Sequence, residues 1–123
     1  MTNTVKLKEA LREELHLPLP GKNFQYKFAP ENRDIRIAAK QTKIKEAAVA
    51  LVIFRSNRSE PEIALIKRTE YNGHHSGQVS FPGGKKDRSD KTLLDTAIRE
   101  TAEEIGVTLI PEDCIGKLTP LRI

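Results

Sequence analysis

The stretch Leu93 to Ile105 constrains this chain more than any other. Leu94, Ala97, Ile98, Thr101 and Ile105 recur at helical spacing and form one stripe. Glu100, Glu103 and Glu104 form an adjoining stripe, because residues three and four apart share a helix face. Thr92, with Asp95 three positions on, reads as a capping box, although Asp90 could be the cap instead. Gly106 is placed to end the helix in a left-handed conformation. A fold containing this helix must cover its apolar stripe and also answer three crowded carboxylates. Like charges at that spacing repel, and a hard divalent cation with oxygen ligands is the natural occupant. Taken alone, however, Glu-x-x-Glu-Glu on a helix is more often a solvated face than a metal site.

The rest of the chain supplies a sheet. Ala47 to Phe54 is a continuous, β-branched-rich run that reads as a strand buried on both faces. Ser56 to Pro61 has turn chemistry, and Glu62 to Lys67 reads as the strand returning antiparallel. Gln78 to Phe81 reads as a short strand, with Val79 and Phe81 on one face, which Pro82-Gly83-Gly84 ends abruptly. Val107 to Ile123 leaves room for two short strands around Pro111. Before all of this, Val5 to Leu17 reads as an amphipathic helix stopped by Pro18, Pro20 and Gly21, its leucines packing against the body. Lys22 to Glu46 is polar, with loop and short helix expected. The division is then an N-terminal helix and lead-in, 1–46, and a domain, 47–123. The order of elements predicts an α/β domain with a mixed sheet.

Composition narrows the class. The chain has 123 residues, 37% hydrophobic and 31% charged, which suits one globular domain with a modest core. Its single cysteine, Cys114, excludes an intrachain disulfide framework, suits a reducing cytoplasm and reads as a buried structural thiol. The N-terminus is too charged for a signal peptide, and no apolar run reaches membrane-spanning length. Net charge is +4. The basic residues form no long block and are not interleaved with stacking aromatics, so nucleic-acid binding is disfavoured as the main role. His74 and His75 are adjacent and would point apart in an extended loop, a poor two-ligand site. Asp87 and Asp90 read as turn and capping residues.

The segment FPGGKKDRSDKTLLDTAIRETAEEIGV resembles the Nudix box, G-x5-E-x7-R-E-U-x-E-E-x-G-U, in which U is a bulky aliphatic residue. Arg99, Glu100, Glu103, Glu104, Gly106 and Val107 fill its second half without a gap. The first half is one residue longer than the pattern, so Lys91 stands where the upstream Glu falls by counting back and Asp90 is the nearest acid. Upstream, ALIKRTEYNGHHSGQVSFPGG is similar to the signature L-L-T-x-R-S-x3-R-x3-G-x3-F-P-G-G of the coenzyme A pyrophosphatase branch. Leu65, Arg68, Gly77, Phe81, Pro82, Gly83 and Gly84 match at the right spacing, while Gly73 stands where the signature has its second Arg. The joint order of these pieces, over Ala47 to about Pro120, is what carries the signal.

The resemblance implies a Nudix-like α/β/α sandwich that hydrolyses the diphosphate linkage of coenzyme A or its derivatives. The products would be a 3′,5′-bisphosphorylated adenosine and 4′-phosphopantetheine. Glu100 and Glu104 would be the principal ligands of magnesium or manganese, with Glu103 a third ligand or a candidate base and the Gly83 carbonyl completing the set. Arg99 would hold a carboxylate in orientation or pair on the surface. Arg68 would bind substrate phosphate beside Gly84. Alternative readings are a Nudix pyrophosphohydrolase for another nucleoside diphosphate derivative, prompted by Gly73, and an inactive phosphate- or nucleic-acid-binding module. Family members continue well past the box helix, so a C-terminally shortened chain is expected, with an open sheet edge that a second copy would cover in a homodimer.

Overall fold

A computed structural model of the chain describes residues 3–29, 44–70, 72–73 and 76–121. Most of the polar lead-in and the pair His74 and His75 lie outside the described residues. Helix α1, Asn3–His16, turns Leu7, Leu11 and Leu15 to one half-buried face. The Leu17 N–H closes it on the Glu14 carbonyl at 3.1 Å before the prolines intervene. The short helix α2, Gly21–Tyr26, follows. Both pack on the far end of the chain. Gln25 Nε2 donates to the Thr119 carbonyl at 2.9 Å, and a Cβ on Gly116 would sit 2.5 Å from Leu15 Cδ1.

Six short strands come next: β1 (Ala47–Val49), β2 (Ile53–Arg55), β3 (Pro61–Ile63), β4 (Ile66–Lys67), β5 (Val79–Ser80) and β6 (Gly83–Lys85). β1 pairs with β6, β2 with β3 and β4 with β5, and every pairing is antiparallel. The registers join these into three longer strands that exchange partners. The Ala50 N–H donates to the Pro82 carbonyl, and the Ala64 N–H to the Val52 carbonyl. The 47–55 strand thus leaves β6 for β3 near Leu51. The mixed sheet expected from element order is not seen among the described residues.

Helix α3, Leu93–Ile105, lies against β6 and β1. Its start is the capping box read from sequence: Asp95 N–H donates to Thr92 Oγ1 at 3.1 Å and Thr92 N–H to Asp95 Oδ2 at 2.9 Å. Its end is Gly106 at φ 70°, whose N–H reaches the Ala102 carbonyl. Thr92→Ala removes one side of this reciprocal cap and is expected to lower stability by about 1 kcal/mol in a denaturant titration.

Strand residues alternate between faces, and only one face of this sheet is covered by α3. Val49, Leu51, Ile63, Leu65 and Val79 share the other face by register and are 58%, 44%, 51%, 56% and 62% exposed. The run Ala47 to Phe54 is therefore not buried on both faces. A continuous apolar run is compatible with either arrangement, and cover on the second side decides. No large apolar side chain is fully buried among the described residues; the largest fully buried side chains are Thr96, Thr101 and Pro82. Thr101 satisfies its hydroxyl within α3, donating to the Ala97 carbonyl at 2.7 Å.

Two further expectations change. Gly83 and Gly84 do not terminate a strand but begin β6, where Gly83, without a side chain, lets β1 pass within contact distance; a Cβ on Gly83 would lie 2.6 Å from Val49 Cα. After α3 the described chain holds a 3-10 turn, Pro111–Asp113, in place of the two strands, and Cys114 just beyond it is exposed. Proline at the first position of the turn lacks the N–H a strand ladder would need.

Candidate active site

β6 and α3 run side by side, and three successive strand residues meet three helix side chains. Gly83 donates its N–H to Glu104 Oε2 at 2.9 Å. Gly84 leaves room for the Glu100 carboxylate; a Cβ there would stand 2.5 Å from Oε1 and 2.6 Å from Cδ. The Lys85 carbonyl accepts from Arg99 Nη2 at 3.1 Å. Both glycines are thus explained by backbone approach, to β1 in one case and to a carboxylate in the other. Gly83 meets this seam through its amide.

Arg99 is the hub. Its Nε donates to Asp90 Oδ1 at 3.1 Å and its Nη2 to Asp90 Oδ2 at 2.9 Å, a bidentate fork. Its Nη1 donates to Glu100 Oε1 at 3.0 Å and to both oxygens of Glu103 at 3.3 Å. Asp90 also accepts from the Asp87 N–H at 2.9 Å and from Thr96 Oγ1 at 3.0 Å, and its side chain is only 4% exposed. The Arg99 guanidinium, followed by the Asp87 amide, holds the Asp90 carboxyl well below the usual carboxylate range, against the opposing effect of burial. Asp90, Glu100 and Glu103 in turn push the Arg99 guanidinium up, so it remains charged.

The three glutamates therefore sit on one helical flank in different environments. Glu100 is largely covered, at 17% side-chain exposure, while Glu103 is open at 58%. Glu104 turns toward β6. Among the described residues no three acidic, histidine or cysteine side chains are already gathered into a ligand cluster. Arg99 Nη1 stands between Glu100 and Glu103, and Glu104 is engaged with Gly83. The donors are nonetheless hard carboxylate oxygens on a rigid helix, the chemistry that suits magnesium or manganese.

Arg68 follows β4, its N–H bonded to the Gln78 carbonyl at 2.8 Å. With Ile66, Lys67, Thr69 and Glu104 it lines an open depression of about 340 Å³. No ion pair among the described residues engages Arg68. The structure thus brings a glutamate of the acidic flank and Arg68, which has no ion pair among the described residues, to one depression. Sequence reasoning missed Asp90 as the anchor of Arg99. Its signal was present, as the acid nearest the box position that Lys91 occupies.

Residues 44–122 match the model of the NUDIX domain. The chain belongs to the Nudix family. This Nudix chain is 36% identical over 113 residues to a protein named uncharacterized Nudix hydrolase NudL of Yersinia pestis (strain Pestoides F), covering 90% of the chain and 50% of the relative. Yersinia pseudotuberculosis serotype O:1b (strain IP 31758) has a NudL relative with the same identity and coverage. The Nudix chain spans about half the length of the curated relatives it matches. No solved structure matches it. No helix among the described residues is long and apolar enough to cross a membrane.

At the Nudix seam, Gly84→Ala is expected to displace the Glu100 carboxylate with little loss of melting temperature, since the obstructing atoms end a flexible side chain. Should Glu100 hold a magnesium ion, its affinity is expected to fall about 10- to 100-fold. Isothermal titration with magnesium, beside a thermal melt, checks both halves.

Proposed function

We propose that the chain carries out metal-dependent hydrolysis of the diphosphate linkage of coenzyme A or its derivatives, giving 3′,5′-ADP and 4′-phosphopantetheine. One observation supports this most: Glu104 belongs both to the acidic flank against β6 and to the depression that holds Arg68. A diphosphate resists attack because its charged oxygens repel a nucleophile. Magnesium or manganese, when bound, supplies charge neutralisation and acidifies a water. Glu100 and Glu104 are the residues we assign to hold it, with Glu103 and the Gly83 carbonyl as further donors. Arg68 offers a planar fork that matches phosphate oxygens, with the Gly84 backbone beside it. Arg99 orients Glu100 and Glu103 through Nη1. Water oxygen bonds to phosphorus, the bridging P–O bond breaks, and a carboxylate takes the proton; Glu103, the open one, is our candidate base.

A second reading, hydrolysis of another nucleoside diphosphate derivative, is favoured by Gly73 at the place of the signature's second Arg. Comparing magnesium-dependent rates on coenzyme A, nucleotide sugars and dinucleoside polyphosphates tests the first reading. A coenzyme A rate no higher than the others would reject it.

We also assign a second copy to the open sheet face. On that face Val49, Leu51, Ile63, Leu65 and Val79 stand exposed side by side, an apolar surface that a partner sheet would cover. Light scattering returning a clean monomer would remove that assignment. The lone thiol, Cys114, fits a reducing compartment, and we place the protein in the cytoplasm.

A further inference from the structure

Buried polar side-chain atoms in a folded chain almost always have a partner, so an exception calls for a reason. Three exceptions stand among the described residues: Thr4 Oγ1, Gln25 Oε1 and Ser80 Oγ. The first two belong to the N-terminal helices α1 and α2. Ser80 is different. It lies in β5 directly across from Ile66, which lines the depression together with Arg68 and Glu104.

The register fixes which side chains share a face there. Ile66 and Ser80 are half-buried, whereas their neighbours Lys67 and Val79 stand exposed, so the first two occupy the covered face. The ladder runs on to Arg68, whose N–H meets the Gln78 carbonyl at 2.8 Å. Arg68 therefore leaves the strand two positions from Ile66, on the same side and diagonal to Ser80. Diagonal neighbours are about 7–8 Å apart, within reach of a long side chain. A guanidinium has only donors and a hydroxyl oxygen can accept, so the chemistry matches in one direction, from Arg68 to Ser80.

In the free chain Arg68 is exposed, and water competes for its charge. An anionic oxygen seated in the depression draws the guanidinium inward and displaces that water. The bond to Ser80 Oγ is then charge-assisted. Folding has already stripped water from the hydroxyl, so this acceptor is preorganised and the ordering of Arg68 costs less. We infer that Ser80 is a positioning residue for Arg68: its buried hydroxyl accepts from the guanidinium when Arg68 engages a phosphate, and so holds the planar fork in line. The inference rests on the reading of Arg68 as a phosphate-binding side chain. It deepens that reading by naming what fixes the arginine once it is engaged.

The test sets binding against stability on the full chain and needs no turnover. Calorimetry with inorganic pyrophosphate and magnesium compares the parent, Ser80→Ala, Arg68→Ala and the double variant, with thermal melts run in the absence of ligand. Ser80→Ala should weaken pyrophosphate binding about tenfold, the loss of one charge-assisted hydrogen bond. Its melting temperature should stay at or above that of the parent, because no bond of the free chain is lost and an unanswered buried hydroxyl is removed. With Arg68→Ala in place, Ser80→Ala should change the affinity by less than about twofold. A lower melting temperature, an unchanged affinity, or an equal loss with and without Arg68 would each overturn the inference. A parent that does not bind pyrophosphate would overturn it together with the reading of Arg68. If the two substitutions are coupled but coenzyme A is not hydrolysed, the catalytic reading fails and the Ser80–Arg68 pair stands. Hydrolysis of coenzyme A with additive losses does the reverse.

Discussion

If the chain carries the proposed magnesium-dependent diphosphate hydrolysis, Glu104→Gln is expected to lower it by at least about 100-fold while leaving the fold intact, the largest effect expected at the site. Glutamine keeps a carbonyl oxygen to accept the Gly83 N–H, so the 2.9 Å contact with β6 can persist. What disappears is the charge that the flank shares with the Arg68 depression. The exposed position of Glu104 keeps the cost in stability small. Initial rates over a magnesium series, beside circular dichroism melts, separate the two effects. A variant that reaches the parent rate at saturating magnesium would remove Glu104 from the ligand set.

Asp90→Asn comes next in size and acts without touching substrate. In the parent, Asp90 takes the bidentate fork of Arg99, so most of that positive charge is answered away from the glutamates. With asparagine there, more of the Arg99 charge is left to Glu100 and Glu103, which it already contacts, and it competes with a dication for them. Metal affinity and rate should fall about 10- to 100-fold, with partial recovery at high magnesium. The same substitution changes the acid limb of stability. The Asp90 carboxyl lies below its unfolded value, near 3.9, so its contribution is complete above that pH and is lost as pH falls toward the folded value. The parent should therefore lose stability between about pH 5 and pH 2 more steeply than Asp90→Asn. Urea titrations across that window decide the matter, and parallel curves would show that Asp90 contributes nothing by its charge.

Legibility followed locality. Helix α3, its capping box and Gly106 were readable because each depends on residues within one or two turns. The antiparallel return of Glu62 to Lys67 was readable from the turn at Ser56 to Pro61, where the Ser56 hydroxyl donates to Glu62 and the Arg58 N–H reaches Ser56 Oγ. The exchange of partners near Leu51 was not, because no local signal distinguishes one long strand from two half-paired ones. Nor was the role of Asp90. It bonds Arg99 nine residues away, across a turn whose path the sequence pattern leaves open. Cys114 went wrong for a related reason: an isolated thiol is usually covered, and here nothing among the described residues covers it. The acidic flank was readable as a group because helical geometry alone fixes which side chains share a face. The distinct surroundings of its three members come from β6, which the sequence did not place beside them.

The tracking of β6 along α3 has a consequence for where this chain can vary in length. Between Gly84 and Arg99 it holds one residue more than the box pattern, yet Gly84 still meets Glu100 and Lys85 still meets Arg99. The surplus is therefore absorbed in the turn that Asp87 and Asp90 close, outside the strand. Spare length in that turn is harmless, whereas slipping β6 by a single position would send alternate residues to the wrong side and put a lysine where Glu100 needs a bare backbone.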